Sequence, residues 1–262
     1  MLLRAGIHTG AILDKEKFDE LFPMIKKNPQ CIWHIEWLLL DEAQDSDGRQ
    51  FEFIFRMIDP RCFFIVGDIR QTIYRWKGSV PELFGDLTQR NDVRVFSLNQ
   101  NFRCGSNILA YAKKKLWGSG MYDDSIAMRE GGEVLFPEFT KANMLKLIGT
   151  YGNYKDWVVL TRTNEQISTL MVMLKNSGIP CVTFKQGELT RDKLIELMNS
   201  DTVKILTVHS AKGLEWPYVM LYGLYSNKND IETYNVNYVA ATRAKDILVV
   251  FGKRKYNEFK FE

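Results

Sequence analysis

The 262 residues contain no CxxC pair, and the four cysteines, Cys31, Cys62, Cys104 and Cys181, stand at spacings that fit no zinc template. They read as free thiols of a reducing compartment. No apolar run approaches the roughly 20 residues that cross a bilayer. The opening stretch, MLLRAGIHTGAILDKEKF, has no apolar core of signal-peptide length. The expectation is a soluble, cytoplasmic protein with no membrane partner. Strong charge of either sign is missing too. A net charge of +3 and a pI near 8.5 permit a nucleic-acid partner without arguing for one. Internal repeats and low-complexity tracts are absent. What is present is an ordinary globular composition, 45% hydrophobic and 26% charged, long enough for one large domain or two small ones.

Hydrophobic patterning predicts an α/β chain. A helical candidate lies around Phe18 to Lys27, ahead of Pro29. Strand candidates follow at Ile35–Leu40, Cys62–Val66 and Val93–Leu98, then a helix at Asn107–Leu116. Residues 119–132, rich in Gly, Asp and Ser, read as a linker. Beyond them Trp157–Leu160 reads as a strand. Ile167, Leu170, Met171 and Leu174 then fall at i, i+3, i+4 and i+7, a helix face that Ser177-Gly178 closes. Ile179–Phe184, Val203–Val208, Tyr218–Leu221 and Ile247–Phe251 are further strands, and Leu189–Met198 a further helix. Strands and helices alternating at these lengths indicate right-handed βαβ units and parallel sheets. The expected organisation is a first lobe at 1–118 and a second at 133–262. The first has only three strand candidates and reads as incomplete, because a parallel sheet is normally broad and covered on both faces.

Five blocks carry chemistry. In EWLLLDEAQD, the apolar run Trp37–Leu40 leads straight into Asp41 and Glu42. Adjacent acids at a strand end suit nucleotide hydrolysis, one holding Mg²⁺ and one activating water; an isolated pair more often caps a solvated strand-end turn. FFIVGDIRQTIYRWKGS interleaves Arg70, Arg75 and Lys77 with Tyr74 and Trp76. Bases stack on aromatic faces while cations hold phosphates, so the mixture suits single-stranded nucleic acid, although core aromatics beside a wet cationic face would look the same. LNQNFRCGS, ILTVHSAKGLEWPYVML and YVAATRAKDILVV follow, the last with Arg243 expected inside a short helix before a strand. A phosphate loop of the form GxxxxGKS/T is absent. The one Gly-Lys dipeptide, Gly252-Lys253, has no glycine at the required spacing.

Taken together, the blocks resemble the UvrD/Rep family of superfamily 1 DNA helicases, in the family's order: DEAQD as motif II, GDIRQTIYRWKGS as III, LNQNFR as IV, TVHSAKGLEW as V and YVAATRAK as VI. The resemblance spans residues 36 to 251. It implies RecA-like lobes of the P-loop NTPase type, and ATP and Mg²⁺ as cofactors. By position, Asp41 holds Mg²⁺, Glu42 polarises the attacking water and Gln71 senses the γ-phosphate. Arg103 and Arg243 reach that phosphate from the two lobes. Phe102 stacks on adenine where the family has a tyrosine, Gly213 approaches the phosphates and Glu215 bonds the ribose. Tyr74, Trp76 and His209 contact single-stranded DNA. Asn235 and Val236 stand where motif VI usually begins with Arg-Leu. The 40 residues ahead of Asp41 are fewer than the family's phosphate-loop half, and the large insertion between motifs IV and V is missing.

The expectation is therefore a C-terminal part or subunit of an ATP-dependent helicase or translocase on single-stranded DNA. It would require a Walker A half, with a separate chain carrying that half or self-association filling the incomplete lobe. An alternative is a helicase-like protein without ATPase activity that binds DNA or a replication or repair protein.

Overall fold

The computed structural model describes residues 23, 27, 36–58, 60–116, 119–185, 189–224 and 230–251. Apart from Pro23 and Lys27, the helix expected at Phe18 to Lys27 lies outside them. Internal contacts divide the chain into two units, residues 1–95 and 96–262. Among the described residues no helix is long and apolar enough to cross a membrane.

In the first unit β1 (Trp37–Leu40) and β2 (Cys62–Ile65) pair in parallel, in register from Trp37 opposite Cys62 to Leu40 opposite Ile65. The connection begins with α1 (Gly48–Glu52). Asp47 caps it: its carboxylate accepts from Gln50 N at 2.9 Å while Gln50 Oε1 accepts from Asp47 N at 2.9 Å. This reciprocal cap satisfies two amide donors that a helix start leaves open. A π-helical stretch, Phe53–Ile58, continues it. Phe55 stacks on Phe51 and meets Phe63 edge-on at 5.8 Å, so this segment covers one face of β2. The opposite face stays open: Trp37, Leu39, Phe64 and Val66 are 66%, 75%, 60% and 41% exposed. Helix α2 (Pro81–Leu87) follows with proline in its first turn, where the missing N–H costs nothing. The strand expected at Val93–Leu98 does not form. Val95, Phe96 and Leu98 are exposed, and apolar alternation with no neighbouring strand to bond is no strand. The first unit thus has two strands among its described residues, not three.

The second unit opens with β3 (Gln100–Gly105), α3 (Ser106–Lys115), β4 (Ile126–Arg129), β5 (Glu133–Leu135) and α4 (Lys141–Thr150). It continues with β6 (Trp157–Thr161), α5 (Asn164–Lys175), β7 (Cys181–Val182), α6 (Arg191–Asn199), β8 (Val203–Thr207), β9 (Trp216–Tyr222), α7 (Ile231–Ala241) and β10 (Ala244–Val250). Six strands form one all-parallel sheet in the order β5-β10-β9-β6-β8-β7, while β3 and β4 form a separate parallel pair. Trp157, Val159, Ile205, Met220 and Val249 point to one face and pack with Met144 and Ile148 of α4 and Ile167, Leu170 and Leu174 of α5. The alternate residues, Val158, Leu160, Val219 and Leu248, are equally buried. They face the other side, where α3 and α7 lie against β10. Burial on both faces is why these strands read as unbroken apolar runs. The parallel, doubly covered sheet is the α/β, RecA-like arrangement expected.

Residues 119–132, read as a linker from their composition, contain β4 and sit within the second unit. The buried Asp123 carboxylate accepts from Tyr238 OH at 2.9 Å and from Ser125 N at 2.9 Å. The polar residues there satisfy local donors rather than marking a loose segment. Nearby, a Cβ on Gly105 would stand 2.6 Å from the Gly131 carbonyl oxygen, a backbone approach that only glycine allows.

Candidate functional site

In the first unit, β1 delivers Asp41 and Glu42 to exposed positions at its C-terminal end, the usual ligand-facing end of a parallel sheet. The following residue is stitched to β2's exit: Ala43 N donates to Val66 O at 2.9 Å. Glu42 has φ 52° and ψ 40°, the one positive φ outside glycine among the described residues. That conformation costs about 1–3 kcal/mol and concentrates at functional sites.

Gln44, fully buried, was not among the residues singled out from the sequence. Its Nε2 donates to Glu42 Oε2 at 2.5 Å, and its Oε1 accepts from Asp68 N at 2.9 Å. Asp68 Oδ1 accepts from Arg70 N and Nε at 3.0 and 2.7 Å, and Oδ2 accepts from Gln71 Nε2 at 3.0 Å. A continuous polar chain therefore runs Glu42–Gln44–Asp68–Gln71. Gly67 makes room for it, since a Cβ there would lie 2.7 Å from Gln44 Oε1 and 3.0 Å from Phe84. The turn after Tyr74 is sewn to the same region by Ser79 Oγ, which donates to Asp45 O at 2.7 Å.

The two aromatics of this block part company. Trp76 is 62% exposed. Tyr74 is half-buried and lines a cavity of about 170 Å³ with Asp45, Asp47, Gln50, Lys77 and Ser79. Burial, and then the negative charges of Asp45 and Glu42, push its phenol up to about 12. Lys77 Nζ stands 4.9 Å from both ring centroids, a cation–π arrangement. Among the described residues no group of three or more His, Cys, Asp or Glu side chains could enclose a metal. One exposed carboxylate at a strand end still fits Mg²⁺, which is commonly held by one or two carboxylates and completes its shell with water and substrate phosphates.

In the second unit, β3 carries Phe102, 67% exposed, and Arg103. With Gln100, Asn101, Arg129, Glu215 and Lys245 they line an open cavity of about 650 Å³. Glu215 sits between two cations: Oε2 pairs with Arg103 Nε at 2.5 Å and Oε1 with Lys245 Nζ at 2.6 Å. Burial acts to raise this carboxyl, but the hydrogen bonds from Lys245 and Arg103 outweigh it and hold the group below the usual carboxylate range. Arg129 Nη1 donates to Arg103 O at 2.7 Å, and its other amino group pairs with Asp246. Gly213 has φ 82°, in the left-handed region. His209 lies, half-buried, in the turn after β8.

Arg243 is not inside a helix. It follows the end of α7 and is 1% exposed. Nε donates to Val239 O at 3.0 Å, Nη1 to Leu214 O at 3.2 Å and Nη2 to Thr242 Oγ1 at 3.2 Å. A guanidinium satisfies the carbonyls that a helix C-terminus leaves open. Arg103 and Arg243 both belong to residues 96–262, whereas the sequence reading put them in different lobes. Asp41, Glu42, Gln71, Tyr74 and Trp76 belong to residues 1–95; Phe102, Gly213, Glu215 and His209 to the second unit. Asn235 and Val236 are fully buried in α7.

Comparison with known proteins adds a family. Residues 25–92 match the UvrD/REP helicase N-terminal domain, and residues 184–255 match the UvrD-like helicase C-terminal domain. A probable DNA helicase of Mycoplasma pneumoniae is 30% identical over 249 residues, covering 82% of this chain and 43% of that protein. The ATP-dependent DNA helicase Rep of Escherichia coli is 28% identical over 170 residues, covering 56% of this chain and 24% of that protein. Gabija protein GajB of Bacillus cereus is 24% identical over an alignment of 319 residues, covering 85% of this chain and 65% of that protein. The chain thus spans less than half the length of the two helicases. With motifs II to VI collinear and both domain families matched on either side of the second unit's start, the chain belongs to the UvrD/Rep family of superfamily 1 helicases.

Proposed function

We propose that this chain acts as part of an ATP-dependent DNA helicase or translocase on single-stranded DNA, and that hydrolysis requires a glycine-rich phosphate loop supplied by another polypeptide segment. The observation that carries the reading is the polar chain Glu42–Gln44–Asp68–Gln71. It joins the water-polarising acid to the γ-phosphate sensor through one buried amide, which a solvated strand-end turn does not need. Asp41 would hold Mg²⁺, which would supply charge neutralisation at the substrate phosphates. Glu42 orients the attacking water, and Gln71 reports on the γ-phosphate to the segment bearing Tyr74 and Trp76. Phe102 and Glu215 take the adenine and the ribose, Gly213 lies close to the phosphates, and Arg103 meets the γ-phosphate. His209 approaches the DNA backbone. The open apolar face of β1 and β2 supports a covering partner on the first unit, either a segment carrying the phosphate loop or a second copy.

The test is ATP turnover with and without single-stranded DNA, on this chain alone and with polypeptides carrying a phosphate-loop half. Negligible turnover alone, and DNA-stimulated turnover with the partner that Glu42→Gln abolishes, is the expected result. DNA-stimulated turnover by the pure chain would overturn the requirement for a partner.

A second reading, a DNA- or protein-binding member of the family without ATPase activity, is favoured by Arg243, whose guanidinium is spent on Val239 O, Leu214 O and Thr242 Oγ1 inside its own unit. No partner restoring turnover is the outcome that selects it.

A further inference from the structure

The cavity beside β3 holds a cation for which the motifs provide no role. Lys245 is the second residue of β10, and its ammonium takes one oxygen of Glu215 while Arg103 takes the other. The two pairs differ in how they are anchored. Glu215 immediately precedes β9 and Lys245 lies near the start of β10, neighbouring strands of one sheet. Ala244 stands in register with Trp216, and Trp216 N donates to Arg243 O at 3.0 Å. That pairing starts the two segments side by side, and Lys245 follows where the register shifts between Ala244 and Ile247. Arg103 comes from β3, outside that sheet. Its backbone is pinned, with Asn101 Oδ1 accepting from its N–H at 3.0 Å and its carbonyl accepting from Arg129. The Arg103 guanidinium is held by Glu215 and by one long hydrogen bond, Nη1 to Thr242 O at 3.5 Å, and all three charged side chains are about a third exposed to the cavity.

We propose that Lys245 is a positioning residue for nucleotide binding: it keeps the Glu215 carboxylate paired and aimed when Arg103 leaves that carboxylate for a phosphate. This rests on the reading of the cavity as part of a nucleoside-triphosphate site. A guanidinium matches phosphate oxygens with a two-pronged donor set, whereas an ammonium is a compact point charge. Of the two cations, Arg103 is the one with more to gain from a triphosphate. Without Lys245, its departure strands a carboxylate in a partly closed pocket beside an incoming polyanion. With Lys245, Glu215 remains neutralised and is held by the sheet in the position from which it meets a ribose. Lys245 therefore acts through Glu215, not on the phosphates.

The experiment is an NMR titration of the full chain with ATPγS and, separately, tripolyphosphate, carried to millimolar ligand. It compares wild type, Lys245→Met, Lys245→Arg, Glu215→Gln and the Lys245→Met/Glu215→Gln pair. Lys245→Met is expected to weaken both ligands by about tenfold, the scale of a lost hydrogen bond to a charged group. Lys245→Arg, which keeps a cation beside Glu215, loses less. In the Glu215→Gln background, where no carboxylate needs a counter-charge, Lys245→Met is expected to change tripolyphosphate affinity by less than about twofold, the non-additivity of groups that act together. An equal loss in both backgrounds would make Lys245 a direct phosphate ligand or a structural residue and overturn the proposal alone. Failure of the wild type to bind either ligand would overturn the nucleotide reading of the cavity and the proposal with it.

Discussion

At the scale of single residues, two side chains of the first unit, Trp76 and Gln44, illustrate how burial separates roles. Trp76 is largely exposed, so its truncation removes little packing. Base–aromatic stacking is worth about 1–3 kcal/mol per base. Trp76→Ala is therefore expected to weaken single-stranded DNA binding by roughly tenfold to a hundredfold while leaving the thermal midpoint within experimental error. Fluorescence anisotropy and a melting curve check both halves, and an unchanged affinity would return Trp76 to an ordinary surface role. Gln44 is the converse. Fully buried, it holds a carboxylate and a backbone amide 24 residues further along the chain. Gln44→Ala is expected to destabilise the first unit by about 1.5–3 kcal/mol, the range for a lost hydrogen bond to a charged group with a donor left unmet. Urea unfolding read by tryptophan fluorescence measures it.

At the scale of elements, β8 carries an unusual member. Lys204 lies between Val203 and Ile205 in a mostly apolar strand, in register with Val158 of β6, and is fully buried. Its ammonium donates to Ser200 O at 2.7 Å. Burial brings its pKa down from 10.5 to about 8, with Asp201 and Asp156 partly opposing the shift and Lys155 adding to it. The folded chain thus gives up this proton near pH 8, and the unfolded chain keeps it until about pH 10.5. Between those limits the unfolded state binds more protons, so this group's contribution to stability grows as pH rises and is lost as pH falls back through 8. Lys204→Met is expected to remove that part of the slope. Urea midpoints of wild type and variant compared from pH 7 to 10 should converge as pH rises; parallel lines would show that the amine stays charged in the fold.

At the scale of the molecule, the two units differ in how completely they are covered. The second buries a six-stranded sheet between helices on both faces. The first has two strands among its described residues, with Trp37, Leu39 and Phe64 exposed on one face. Local opening free energies follow buried apolar contacts. The amides of β1 and β2 are accordingly expected to exchange with solvent at least about a hundredfold faster than those of β6, β8 and β9, a difference near 2.7 kcal/mol in opening free energy. Hydrogen exchange followed by mass spectrometry resolves the two sets of peptides, and equal protection would mean that the open face is covered in solution.

The sequence by itself determined the elements whose chemistry is local. Strands buried on both faces announce themselves as apolar runs, so β6, β8, β9 and β10 were legible; β1 and β2 were legible as apolar runs too, although one of their faces is exposed, and α5 was legible from its face of Ile167, Leu170 and Leu174. The motif order, and with it the family, was also legible, because those side chains sit at fixed offsets from strand ends. The tertiary structure decided whatever depends on partners distant in the chain. Val93–Leu98 looks like a strand and finds no neighbour among the described residues, whereas the polar Gln100–Gly105 pairs with β4. Gln44 matters through Asp68, and Lys245 through Glu215. The orientation of Arg243 is set by carbonyls at Val239 and Leu214 that only folding brings beside it. Periodicity records which face of an element is buried; it carries no record of what lies against that face, and hydrogen bonds, unlike burial, depend on the identity of the partner.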